Sequence, residues 1–250
     1  MSRATPESIR AAAGGRRLAI FLDYDGTLTP IVERPEDAVL DAAMRSVLRR
    51  LARQHTVAIV SGRDLADVRA RVGLEGLVYA GGHGMDIDGP GVSRVHEAAR
   101  AAAPRLEAAA SDVARDTAGL TGVQLERKRY ALAVHYRRAR EADAPAVEKA
   151  VDDAAARHPG LRKTLGKKVF ELRPDVEWDK GRAVLWLIET LRLEDALPVY
   201  VGDDLTDEDA FRALAGRGIG IVVQDAPQPS AARYTLHDPD EVRALLAGLA

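Results

Sequence analysis

The 250-residue sequence contains no cysteine. That excludes disulfides, thiolate metal sites and cysteine nucleophiles, and it fits a reducing compartment. No apolar run approaches the roughly 18–20 residues needed to cross a bilayer. Positive charge is not in excess: 36 Lys and Arg stand against 38 Asp and Glu, a formal net charge of −2. No basic field invites nucleic acid, and none of opposite sign turns a small anionic substrate away. Residues 1–17 hold no long apolar segment and do not read as a signal peptide. The expectation is a cytoplasmic chain that binds neither nucleic acid nor membrane. No feature specifies an oligomer, and a monomer suffices.

What is present is apolar periodicity in two alternating blocks. Short buried-strand runs at 17–23, 56–62 and 77–82 are separated by helical spacing at 38–54 and 64–72, the latter opened by Asp64. Strands alternating with amphipathic helices imply right-handed crossovers and a parallel sheet covered on both faces. Near residue 90 the pattern changes. An Ala-rich helix at 96–117, with Pro104 marking its start or a kink, precedes two strand runs within 121–137. A helix at about 141–157 and a hairpin at 161–174, turning at Gly166–Lys167, complete an α+β unit. The first pattern then returns with a helix at 180–193, a strand at 197–204, a helix at 205–215, a strand at 219–223 and a helix at 238–249. The reading is an α/β protein, a doubly wound parallel-sheet (Rossmann-like) core at 1–96 and 176–250, with an inserted α+β cap domain at 97–175.

Ligands of open parallel sheets sit at the carboxyl ends of the strands. Here those ends carry Asp23, Asp25, Ser61, Asp203 and Asp204. Four carboxylates gathered at one edge repel one another, and several would protonate unless a cation neutralised them. An all-oxygen donor set without His or Cys suits Mg²⁺.

Four segments in order, DYDGT from Asp23, VSGR around Ser61, DKG around Lys180 and GDDLTDED from Gly202, resemble the four motifs of the haloacid dehalogenase superfamily. The resemblance implies a phosphatase in which Asp23 is the nucleophile and forms an aspartyl-phosphate, splitting hydrolysis into two steps. Asp25 would protonate the leaving oxygen and then take a proton from water. Asp23, the Asp25 carbonyl and Asp203 would hold Mg²⁺, with Asp204 close or acting through water. Ser61 and Lys180 would bind the phosphoryl oxygens, Gly26 would permit the turn, and Thr27 would donate a hydrogen bond. Gly62 and Arg63 are placed beside the substrate, and Asp207 is given a role in orienting Lys180 or the metal shell.

The stretches 80–87, 126–137 and 166–174, taken with VSGR and GDDLTDED, resemble the trehalose-6-phosphate phosphatase branch. That implies a small sugar phosphate as the bound partner, with Glu126, Lys128 and Glu171 at the sugar end of the cleft and His83 as a further substrate contact. Glu126, Lys128 and their neighbours also read as a solvated charge cluster at a turn. Asp86 stands where the family usually has Glu. A sucrose-phosphate or mannosyl-phosphate type of phosphatase shares the core and cap. A phospho-receiver domain clusters similar residues but lacks an inserted cap, and an inactive sensor does not require the intact catalytic set. A cap joined by two crossings is expected to rock and exclude water.

Overall fold

The computed structural model describes residues 1–166 and 168–250; Lys167, half of the expected hairpin turn, lies outside them. Strands β1 (Ser2–Arg3), β2 (Leu18–Leu22), β3 (Thr56–Val60), β4 (Val78–Gly81), β5 (Asp86–Gly89) and β6 (Val92–Val95) lead up to the inserted segment. Within that segment lie β7 (Gln124–Lys128), β8 (Ala131–His135), β9 (Leu161–Gly166) and β10 (Val169–Pro174), and β11 (Leu197–Gly202), β12 (Ile219–Val223) and β13 (Tyr234–Leu236) follow it. The helices are α1 (Pro6–Ala13), α2 (Ala42–Leu51), α3 (Leu65–Val72), α4 (Glu97–Asp116), α5 (Ala144–Arg157), α6 (Lys180–Thr190), α7 (Glu208–Ala213) and α8 (Pro239–Leu249). By internal contacts the chain forms two compact units, Met1–Arg94 with Trp178–Ala250, and Val95–Glu177.

The first unit is built on a sheet of order β1-β13-β12-β11-β2-β3-β4-β5-β6. Neighbours from β1 to β4 pair in parallel, and β5 runs antiparallel to β4. The chain leaves β2 towards β3 and returns, after the insertion, on the other side at β11. The β2/β11 crevice is therefore the topological switch point, where such sheets bind ligands. The central strands β2, β3, β4, β11 and β12 are apolar almost throughout because both faces are covered. Ile20, Leu22, Ile59 and Val201 pack with Leu48, Val68 and Leu246, while Phe21, Val60 and Tyr200 pack with Val184, Leu187 and Phe211. Side-chain caps set where helices begin: Asp179 accepts from Arg182 N–H at 2.8 Å, which makes Lys180 the first residue of α6.

The second unit is an antiparallel sheet of order β7-β8-β10-β9. Leu132, Val134, Phe170 and Leu172 face Leu106 and Val113 of α4 and Val147 and Val151 of α5. Helix α4 begins at Glu97, so Pro104 sits inside it rather than at its start. Register places Glu126 opposite Ala133, Ala133 opposite Glu171, and Glu171 opposite Thr164, one row across four strands. Among the described residues no helix is long and apolar enough to cross a membrane.

Candidate active site

Asp23 follows β2 directly, and its N–H donates to Val201 O at 2.9 Å, which seats it against β11. The next residues close a tight loop, with Gly26 N–H on Thr29 O at 2.8 Å and Leu28 N–H on Tyr24 O at 2.9 Å. Gly26 has φ +79°, and a Cβ there would overlap the Asp203 carboxylate. Glycine thus lets this loop rest on the acid at the end of β11. Asp23, Asp203 and Asp207 each place a carboxylate oxygen so that the three lie within 4.8 Å of one another. The Asp25 and Asp204 carboxylates lie outside that group.

The three carboxylates are not equivalent. Asp207 Oδ1 accepts from Lys180 Nζ at 2.7 Å and from Tyr200 OH at 2.6 Å. Its Oδ2 accepts from the N–H groups of Asp203 at 3.0 Å and Asp204 at 2.9 Å. A carboxylate has about four lone-pair directions, so Asp207 is fully committed within the chain. It shapes the turn that presents Asp203, and it anchors Lys180. Lys180 is 2% exposed and also reaches Asp23 Oδ1 at 3.1 Å. Burial works against its charge, yet Asp207 and Asp23 hold its pKa above the ordinary lysine value. Burial pushes the Asp23 carboxyl well above its usual range; Lys180 counters this, and Asp207, Asp203 and Asp25 reinforce it. Burial and Asp207 likewise raise the Tyr200 phenol, which stays a donor.

The remaining core residues fall around this cluster unevenly. Ser61, buried at the end of β3, accepts from Arg63 N–H at 3.1 Å, which leaves its own hydroxyl proton to donate. Thr27 is fully buried, and among the described residues its Oγ1 has no hydrogen-bond partner. A buried hydroxyl in that state calls for a group the chain does not supply. His83 N–H donates to Ser61 O at 2.9 Å, and its φ of +56° is uncommon for a residue other than glycine. A Cβ on Gly62 would lie 2.8 Å from His83 Cε1, so the imidazole needs a glycine beneath it. The Arg63 side chain is occupied by Asp25, with Nε and Nη2 each at 2.7 Å from a carboxylate oxygen. Asp86 is buried at the start of β5.

In the second unit the three residues named from its sequence share one face of the sheet. Lys128 Nζ lies 2.9 Å from Glu171 Oε1, and Glu126 Oε2 lies 2.8 Å from His135 Nε2. All are on the sheet face opposite α4 and α5. Tyr200, and the Asp67 and Arg71 that brace Arg63, carry no site signal in the sequence. Tyr200 reads there as one more apolar strand residue, and Asp67 and Arg71 as helix surface charges.

A parallel sheet with an acidic cluster at its switch point, a buried lysine beside it and a separate inserted unit defines the haloacid dehalogenase fold. The profile of the trehalose-phosphatase family matches residues 21–240. A trehalose 6-phosphate phosphatase of Zea mays is 42% identical over 98% of this chain and 73% of its own length. A trehalose-phosphate phosphatase of Mycobacterium marinum is 44% identical over 94% of the chain, which spans 62% of that relative. The solved C-terminal domain of the C. albicans trehalose-6-phosphate phosphatase superposes with a TM-score of 0.84 at 27% identity, covering 100% of this chain and 98% of that one. The chain belongs to the trehalose-phosphatase family.

Proposed function

We propose that this chain hydrolyses trehalose 6-phosphate to trehalose and phosphate by phosphoryl transfer to Asp23. The observation that carries the reading is the position of Asp23 at the switch point, with Lys180 at 3.1 Å and Asp203 and Asp207 beside it.

A divalent cation fits this donor set. With Asp207 committed to four donors, Asp23 and Asp203 remain as carboxylate ligands, and the unsatisfied Thr27 hydroxyl lies in the adjoining loop. Hard oxygen donors in that number suit Mg²⁺ completed by water and phosphate oxygens. Asp23, Asp203 and the Asp25 carbonyl would hold it, with Asp204 close by or acting through water. Bound there, it would offset the charge that otherwise sets Asp23 and the phosphate dianion against each other.

Lys180 and Ser61 would hold the phosphoryl oxygens while Asp23 attacks phosphorus. As the ester P–O bond breaks, Asp25 gives its proton to the departing sugar oxygen. In the second step Asp25 takes a proton from the water that attacks the aspartyl-phosphate. Glu126, Lys128 and Glu171 would bind sugar hydroxyls, since charged groups built to pair with OH reject analogues lacking it. His83 and Gly62 would line the phosphate side.

The identity of the sugar is tested by comparing kcat/KM over a panel of sugar phosphates with Mg²⁺ present. Trehalose 6-phosphate is expected to lead. A preference of about tenfold or more for a sucrose or mannosyl ester would overturn the substrate while leaving the chemistry intact.

A further inference from the structure

Arg63 spends its guanidinium on one carboxylate and on the residues that hold it there. Nε donates to Asp25 Oδ2 and Nη2 to Asp25 Oδ1, both at 2.7 Å. Nη2 also donates to Pro35 O at 2.8 Å and Nη1 to Asp67 Oδ2 at 2.9 Å. Four of the five N–H donors of an arginine are thereby used. A phosphoryl group would receive one hydrogen bond at most without dismantling this arrangement.

The brace continues beyond Arg63. Asp67 is held by Arg71 Nε at 2.9 and 2.8 Å. Arg71 Nη1 in turn donates to Glu36 O and Ala38 O, each at 3.1 Å. Asp67 and Arg71 lie one turn apart on α3, and Arg63 reaches Asp67 from the segment just before the N-cap Asp64. From the other side the Arg63 guanidinium lies over the Tyr24 ring, 5.4 Å from its centroid, and the Tyr24 hydroxyl donates to Ala38 O at 2.9 Å. The Arg63 side chain is 11% exposed, so little water competes for it.

We infer that Arg63 is a positioning residue for Asp25 rather than a phosphate ligand, and that Asp67 and Arg71 hold Arg63 in place. The inference rests on Asp25 being the group that transfers protons in the proposed reaction. A planar fork bonded to both carboxylate oxygens fixes the direction of that carboxyl as a single bond cannot. In the first step Asp25 carries its proton on a lone pair that the Arg63 fork leaves free. The ester P–O bond breaks, the phosphoryl group passes to Asp23, and the sugar oxygen takes that proton, leaving Asp25 as the carboxylate the fork holds. Misdirection of Asp25 should therefore hurt esters whose leaving oxygen needs that proton, and spare those whose leaving group departs as an anion.

The test compares Arg63→Lys and Asp67→Asn with the unsubstituted enzyme on trehalose 6-phosphate and on p-nitrophenyl phosphate. Lysine keeps the charge and loses the fork, so geometry is separated from charge. For Arg63→Lys, kcat/KM on the sugar ester is expected to fall roughly tenfold or more, with the fall in kcat and KM nearly unchanged, while the aryl ester loses less than about threefold. Asp67→Asn should show the same selectivity with a smaller loss. Circular dichroism and Tm check that both variants fold. Equal fractional losses on the two esters, or a loss carried by KM alone, would overturn the inference. If the unsubstituted enzyme accepts aryl esters but no sugar phosphate, the substrate reading fails separately. The positioning claim is then decided on a series of aryl phosphates, where Arg63→Lys should steepen the dependence of rate on leaving-group pKa, and an unchanged slope would refute it.

Discussion

Lys180 Nζ lies between Asp207 Oδ1 at 2.7 Å and Asp23 Oδ1 at 3.1 Å. One buried ammonium therefore joins the acid at the end of β2 to the acid that shapes the turn after β11. Asp207 also receives Tyr200 and two backbone N–H groups, so it organises the site without needing to touch substrate.

Replacing Asp207 by Asn should be severe for that reason. The amide offers one acceptor oxygen in place of two, and its NH₂ must face either Lys180 or the paired N–H groups of Asp203 and Asp204. Breaking one side of a buried pair costs about 3–5 kcal/mol. The expected outcome is a large fall in urea midpoint together with a loss of kcat on the order of a hundredfold or more in the fraction that stays folded. Near-normal turnover with a displaced midpoint would assign Asp207 to stability alone.

His55 gives the stability a pH dependence independent of the active site. Its Nδ1 accepts from Leu18 N–H at 3.3 Å at the start of β2. Burial lowers its pKa below the ordinary 6.5, a contact with the Leu249 backbone works the other way, and Arg17 adds to the lowering. A group whose folded pKa is depressed stabilises the fold above its unfolded value, and the contribution is lost as pH falls towards the folded one. The urea-midpoint advantage of the parent over His55→Gln should therefore be constant above about pH 6.5 and shrink as pH falls below it. Parallel curves across that range would contradict this assignment.

The chain has two tryptophans, and both meet the same arginine. Arg94 Cζ lies 4.5 Å from the Trp178 ring centroid and 4.6 Å from that of Trp186. Arg94 and Trp178 are also the residues at which the first unit is interrupted and resumes. Arg94→Ala should cost about 1–2 kcal/mol and shift the tryptophan emission to longer wavelength as the rings gain water. An unchanged spectrum and midpoint would show that the stack contributes nothing.

Much of this organisation was legible in the sequence where one physical cause dominates. Strands β2, β3 and β11 read clearly because burial on both faces leaves a nearly continuous apolar run ending in a polar residue. The short elements did not. Helix α1 spans eight residues and opens on Thr5 with Ser8 completing the capping box, a weaker signature than one ending in Glu. Strand β13 has three residues and β1 two, too few for any period. Strands β5 and β6 are four residues each and lie in and just after the 80–87 stretch, which stands out only through its family resemblance. In the site, Asp23 and Asp203 stand out as acids at strand ends, whereas Lys180 is legible only through the resemblance of its DKG segment to a family motif. The role of Tyr200, and the Arg63–Asp25 contact that gives the Asp67–Arg71 pair its purpose, come from contacts across the fold, which no spacing in the chain encodes. Arg63 was marked for the substrate by its neighbours in sequence, and only its side-chain partners tie it to Asp25.

The most direct measurement is release of inorganic phosphate from trehalose 6-phosphate, followed with Mg²⁺, after chelation, and in Asp23→Asn. Turnover that requires Mg²⁺ and disappears in Asp23→Asn, with the variant still folded by circular dichroism, is the expected result. Release that survives chelation, or persists at near-normal rate without the Asp23 carboxylate, would contradict phosphoryl transfer to Asp23.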